Sequence, residues 1–185
     1  MLKVRLAATL LVAAFLSGCA AHESDPTTMA ASADNSQLNP LGQANMEMKT
    51  LRPQAPSELT VTDVRIGRHE GFERVVFELD GGGAPGWFVD YTSTPMQETV
   101  GQPLQVAGNS FLNINVDGTV YPFELGKDNT VPVTMAGDTG NVIDVINAGT
   151  YEGRSQIVVG LRSELPYSVQ VMEDPMRVVV DIVQK

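Results

Sequence analysis

RVVFELD, Arg74–Asp80, decides how this chain is read, because the chain builds it twice. Glu70-Gly71 stands upstream; a Gly-rich stretch, the short strand WFVDY (Trp87–Tyr91) and the step Pro95-Met96 follow. The same order returns as Glu152-Gly153, QIVVGLR (Gln156–Arg162), YSVQV (Tyr167–Val171) and Pro175-Met176. Val75, Phe77 and Leu79 match Ile157, Val159 and Leu161 at a spacing of 82 residues, which becomes 80 at the Pro-Met steps. The difference falls in a turn, where a gap costs little, so the pattern reads as an internal repeat.

The surrounding stretches carry the same period of two. LTVTDVRI (Leu59–Ile66) is β-rich, but its apolar phase shifts between Val61 and Val64, which predicts a bulge. MRVVVDIV (Met176–Val183) puts Met176, Val178, Val180 and Ile182 on one face. NVIDVINAG (Asn141–Gly149) opens the second unit, with Asp144-Val145 matching Asp63-Val64. The middle of the chain has no counterpart in this reading. It holds Leu104–Val106 and FLNINV (Phe111–Val116) as strands, then TVYPFEL, which Pro122 confines to an edge or bend. Asp80–Gly86 is expected to be a loop. No segment sustains a 3.6-residue period, and a short helix around Thr94–Val100 is the one helical alternative. The expected class is all-β: a β-sandwich of two packed sheets with pseudo-symmetric repeated strand units.

The N-terminus begins MLKVRLAATLLVAAFLSGCA. Lys3 and Arg5 precede the apolar run Leu6–Leu16, which is too short for a permanent span and reads as a secretory signal. LSGC is similar to a bacterial lipobox, which makes residues 1–18 a lipoprotein signal peptide and Cys19, the only cysteine, a lipidated anchor in the membrane. Residues 19–57 read as a flexible tether, with Met46, Met48 and Leu51 as the apolar cluster able to pack as a short turn against the domain, and 58–185 as the folded domain. The chain carries 22 acidic residues against 12 Lys and Arg, and loss of Lys3 and Arg5 makes it more negative still. That charge excludes a nucleic-acid partner.

Catalytic, metal and cofactor signals are wanting. His22 and His69 do not form a metal spacing, no serine has a G-x-S-x-G setting, and Gly81-Gly82-Gly83 lacks the Lys-Ser/Thr of a phosphate loop. Asp80, Asp90, Glu173 and Asp174 are the carboxylates that a small glycan hydrolase would need in a pair, and solvated turn acids is the competing reading. Binding surface remains. Trp87, Phe88, Tyr91, Phe111, Tyr121 and Tyr151 lie in or near strands beside amides. Trp87 and Tyr91 share the phase of Val89 and belong to the core, whereas Phe88 and Phe111 are out of phase and mark either a site or an interface between the sheets. Phe88, Phe111, Asn113, Asn115 and Arg177 are therefore the candidate ligand-binding residues. Arg74 and Arg177 start matching strands, either as partners of Glu78 and Asp181 or as receivers of a carboxylate.

QIVVGLRSELPYSVQVMEDPMRVVVDI (Gln156–Ile182) resembles the AMIN domain of bacterial envelope proteins, and RIGRHEGFERVVFEL (Arg65–Leu79) resembles the opening of the AMIN-like domain of actinobacterial secreted proteins and lipoproteins. The resemblance implies a sandwich of symmetric halves and a non-enzymatic role in the envelope: binding peptidoglycan, or recruiting a partner. A regulator of a cell-wall hydrolase is the alternative. The resemblance carries over no catalytic residue, and the chain shows no attached amidase or secretin domain. The expected location is the outer face of the cytoplasmic membrane, with the domain facing the wall.

Overall fold

Two five-stranded sheets packed face to face make this an all-β sandwich. The structure, a computed structural model, describes residues 38–135 and 140–184. The signal segment, Cys19 and the first part of the tether lie outside the described residues.

In chain order the strands are β1 (Lys49–Leu51), β2 (Gln54–His69), β3 (Phe72–Ala84), β4 (Gly86–Thr92), β5 (Met96–Gln97), β6 (Gln102–Pro103), β7 (Ser110–Asp117), β8 (Val133–Met135), β9 (Val142–Tyr151), β10 (Arg154–Leu161), β11 (Tyr167–Met172) and β12 (Arg177–Val183). A 3-10 turn, Pro122–Leu125, stands between β7 and β8. Sheet A has the order β11-β12-β3-β2-β8 and sheet B the order β1-β4-β7-β10-β9.

These orders reveal how the repeat folds. The β2–β3 hairpin lies in sheet A and its continuation, β4, crosses to sheet B; the β9–β10 hairpin lies in sheet B and β11 crosses to sheet A. Each sheet therefore joins a hairpin from one copy to two strands of the other. The expectation that Phe111–Val116 is unmatched is corrected: β7 sits between β4 and β10 as β12 sits between β11 and β3. The match is invisible in sequence because residues 97–109 intervene in the first copy alone.

Alternation decides the faces. Val75, Phe77 and Leu79 of β3 and Ile157, Val159 and Leu161 of β10 point into one core with Leu112, Ile114, Val116, Val178, Val180 and Ile182. Trp87 and Tyr91 pack against it from its margin. The bulge expected in Leu59–Ile66 is present as a register shift between Val61 and Asp63. Cross-sheet bonds fix which edges face each other. The Tyr167 hydroxyl donates to the Val89 carbonyl at 2.8 Å, which places β11 over β4. At the other side buried Glu73 of β3 accepts from the Asn141 and Val142 amides at the start of β9, at 2.6 and 3.1 Å.

Four local expectations differ. Asp80–Gly86 is not a free loop: β3 runs through Ala84 because β2 begins at Gln54 and pairs with it. The glycines permit that approach, since a Cβ on Gly81, at φ 117°, would stand 2.1 Å from the Glu58 carbonyl oxygen. Part of TVYPFEL is a 3-10 turn, Pro122 fitting a first helical position where no N–H is needed. Thr94–Val100 holds β5 and a turn in place of a helix, and Leu104–Val106 is irregular.

The last difference concerns the span read as tether, whose C-terminal part is built into the domain. β1 extends sheet B, and Asn45 exchanges two backbone bonds with Tyr167 at 3.0 and 3.1 Å. Upstream, the Leu41 amide donates to Asp181, the Ser168 hydroxyl donates to the Leu41 carbonyl, and Arg74 donates to the Asn39 carbonyl. Residues 39–51 thus form a strap from the outer face of sheet A round to the β4 edge of sheet B.

Candidate functional site

The sequence-predicted residues fall on two different sheets. Phe88, Phe111, Asn113 and Asn115 share the outer face of sheet B, where Phe88 is the register neighbour of Asn115 and Thr92 that of Phe111. Arg177 lies on sheet A beside Glu78, and its guanidinium donates to the Pro175 carbonyl at 3.0 Å.

The two asparagines are engaged by the chain itself. The segment carrying β5 folds over them, and Glu98 accepts from Asn113 and Asn115 Nδ2 at 3.3 and 3.0 Å. Gln156 completes the lattice: it donates to Asn113 Oδ1 at 2.9 Å and to the Met96 carbonyl at 2.8 Å, and accepts from the Glu98 amide at 2.9 Å. Farther along, the loop lies on Gly160, where a Cβ would meet the Ala107 carbonyl oxygen at 1.9 Å. These amides anchor the insertion, and Phe88 and Phe111 are half-buried beside them.

An open surface lies instead at one pole of the sandwich, where the β7 exit, the 3-10 turn and the β9–β10 turn converge. A recess of about 510 Å³ is lined by Pro53, Glu98, Asp117, Tyr151, Glu152 and Arg154. Arg154 holds its floor, with Nε 2.7 Å from Asp117 Oδ1 and Nη1 3.7 Å from Glu98 Oε2. The hydrogen bond to Asp117 raises the Arg154 pKa, so the cation persists. An adjoining recess of about 340 Å³ is lined by Tyr121, Pro122, Phe123, Val131, Asn129 and Asn147, among others. The Tyr121 and Phe123 rings stack at 5.3 Å and 14°, and they are 40% and 63% exposed, with Tyr151 at 44%.

Local sequence holds those rings outward. The Glu124 carboxylate accepts from the Tyr121 amide at 3.0 Å, and Gly126, at φ 67°, closes the turn. Leu125 rests against Gly81, and Lys127 pairs with Asp80, which fixes the turn to sheet A. The same pairing holds the Asp80 carboxyl below its usual range, with the Lys127 hydrogen bond as the main cause. The Tyr151 phenol is raised by its bond to Glu152. Tyr121 and Tyr151 are among the aromatics that the sequence places near strands, and Phe123, in the Pro-containing turn, is not.

Exposed rings beside amides, hydroxyls and carboxylates can hold a polar ligand through its apolar faces. A nucleophile–base arrangement is not formed here. Ser155 Oγ is bonded to Thr119 at 3.0 Å and Thr150 at 2.8 Å, and His69 is stacked on Phe72 at the distant β2–β3 turn. Asp80 and Asp90 lie on different sheets, and Glu173-Asp174 form the β11–β12 turn. Among the described residues no group of three His, Cys, Asp or Glu is placed to hold a metal ion, and no helix is long and apolar enough to cross a membrane.

The family model described as the AMIN-like domain matches residues 59–184. No curated protein and no solved structure matches the chain.

Proposed function

Because the chain belongs to the AMIN-like domain family, we propose that it is a non-enzymatic envelope module, tethered to the membrane through acylated Cys19, whose aromatic pole binds peptidoglycan. The observation that carries this reading is the group of exposed rings Tyr121, Phe123 and Tyr151 lining the two recesses at this pole. The attachment of the strap favours it. The strap leaves the domain at Asn39, beside Arg74. Arg74 and Gly81 lie on one strand, about 23 Å apart at the usual rise per residue, and Gly81 is at the aromatic end. A chain anchored at the Arg74 end presents the rings away from the membrane and toward the wall.

Retention of residues 36–185 on purified peptidoglycan tests the proposal. The wild-type fragment is retained at moderate salt, and Tyr121→Ala combined with Tyr151→Ala releases it. Retention of neither removes the wall-binding reading, and equal retention of both removes the aromatic pole as its site. Recruitment of a wall hydrolase is the second reading, favoured by a separate feature of sheet B described below.

A further inference from the structure

The two sheets differ at the edge where β2 and β9 face each other. On sheet A the outer side of β2 is filled by β8, which runs parallel to it with Val133, Thr134 and Met135 beside Val64, Arg65 and Ile66. The repeat gives β9 an equivalent stretch. Val64 stands opposite Phe77 in its hairpin as Val145 stands opposite Val159, and Ile66 opposite Val75 as Asn147 opposite Ile157. Val145–Asn147 is therefore the counterpart of the stretch that carries β8, yet among the described residues β9 is the last strand of sheet B.

Two details mark the place as one strand short. The Val64 amide donates to the Pro132 carbonyl of the added segment at 3.0 Å, whereas the matching Val145 amide turns to the side chain of its own neighbour, Asp144, at 2.9 Å. And Val133, which by register points to the core side with Val64, is 38% exposed because sheet B ends before reaching it. The aromatic recess, with Asn147 and Val131 in its lining, opens beside this step.

We propose that the β9 edge takes an extended peptide segment of a partner protein, parallel to β9 at Val145–Asn147, as β8 sits on β2. Its backbone pairs with the outward groups of β9, and an apolar side chain on its inner face covers Val133. Asp144, whose other carboxylate oxygen accepts from the Ala107 amide of the insertion at 2.8 Å, caps the Val145 amide until the segment takes that bond over. Val145, Val133 and Asp144 lie outside the ring-bearing recesses and Asn147 is the slot residue shared with one of them, so a change at Val145 separates this slot from wall binding.

The test uses residues 36–185 and a display library of random heptapeptides. Selected peptides shift the amide resonances of Val145 and Asn147. Single N-methylation along the peptide weakens binding by about tenfold at alternate positions and spares the others, as one lost backbone bond at each contact requires. Val145→Pro weakens binding while peptidoglycan retention is unchanged, so the two readings fail separately. If Val145→Pro does not fold, the N-methyl series decides, since it leaves the protein unaltered. No selected peptide shifting those resonances, uniform tolerance of N-methyl groups, or undiminished binding by folded Val145→Pro overturns the proposal. Displacement of the peptide by soluble glycan fragments, or its exclusion by self-association of the domain, assigns the edge to those occupants instead and likewise overturns it.

Discussion

Arg74 and Asp181 form a two-pronged ion pair on the outer face of sheet A, with Nε–Oδ1 at 2.7 Å and Nη2–Oδ2 at 2.9 Å. The Asp181 side chain is fully buried and that of Arg74 only 14% exposed. By the repeat, Arg74 corresponds to Gln156 and Asp181 to Asn115, themselves register neighbours in sheet B. Each pair receives an irregular segment. Asp181 accepts the Leu41 amide of the strap, and Gln156 accepts the Glu98 amide of the insertion. The same position in both halves thus fastens a non-repeated piece of chain to the sandwich.

Removing one partner of the first pair leaves a buried charge uncompensated. Arg74→Ala is expected to cost about 3–5 kcal/mol, as for broken buried pairs generally, read from urea midpoints. Asp181→Asn also loosens the strap, so limited proteolysis near Leu41 accelerates even below the unfolding transition. Unchanged cleavage there would show that Asn45 and β1 hold the strap without the ion pair.

In sheet B the corresponding contact depends on a missing side chain. Gly160→Ala brings a Cβ against the Ala107 carbonyl, and is expected to destabilise the domain by about 1–3 kcal/mol, the usual range for overpacking. Amide exchange should report the displacement: protection is lost across 96–109 before β7 or β10 is affected. Uniform loss over both sheets would count against the insertion being a separately docked piece.

What the sequence made legible was whatever depends on local alternation. The core phase of Val75, Phe77 and Leu79 and the bulge near Val61 are set by neighbours within one strand. For the strap, Met46, Met48 and Leu51 were the legible sign of packing on the domain, and its attachments were not legible because they are to Asp181, Ser168 and Tyr167, far along the chain. Asn113 and Asn115 read in the sequence as candidate ligand-binding amides, and only the fold brings Glu98 over them. Phe123 stayed hidden because a Pro-containing turn has no period to mark the ring as exposed.

The tyrosine pair at the β4–β11 side makes stability depend on alkaline pH. The Tyr91 and Tyr167 rings meet edge to face at 5.6 Å, and their hydroxyls donate to the Leu165 and Val89 carbonyls. Burial is the main cause that raises both phenols above their ordinary value near 10. Because the folded pKa is the higher, the stabilisation is complete below about pH 10 and is lost as pH rises through the folded values, at up to about 1.4 kcal/mol per pH unit for Tyr167. Urea midpoints should be flat from neutrality to about pH 9 and fall above about pH 10. Tyr167→Phe costs about 1 kcal/mol at neutral pH through the orphaned Val89 carbonyl, and flattens the alkaline fall. An equally steep fall in that variant would place the titration elsewhere.

The aromatic pole allows function to be separated from fold. Tyr121, Phe123 and Tyr151 are exposed enough that truncating them leaves the core intact, and exposed substitutions of this kind change stability by about 0.5 kcal/mol or less. Ring contacts with a ligand contribute more than that, so Tyr121→Ala and Tyr151→Ala should each lower peptidoglycan affinity by about tenfold, equivalent to roughly 1.4 kcal/mol, with unfolding midpoints near wild type. Phe88→Ala, on the face now shared with the insertion, should do the reverse: stability falls and retention of the folded fraction does not. If Phe88→Ala abolishes retention while Tyr121→Ala and Tyr151→Ala leave it intact, the binding surface is the outer face of sheet B, and the rings at the pole serve another purpose.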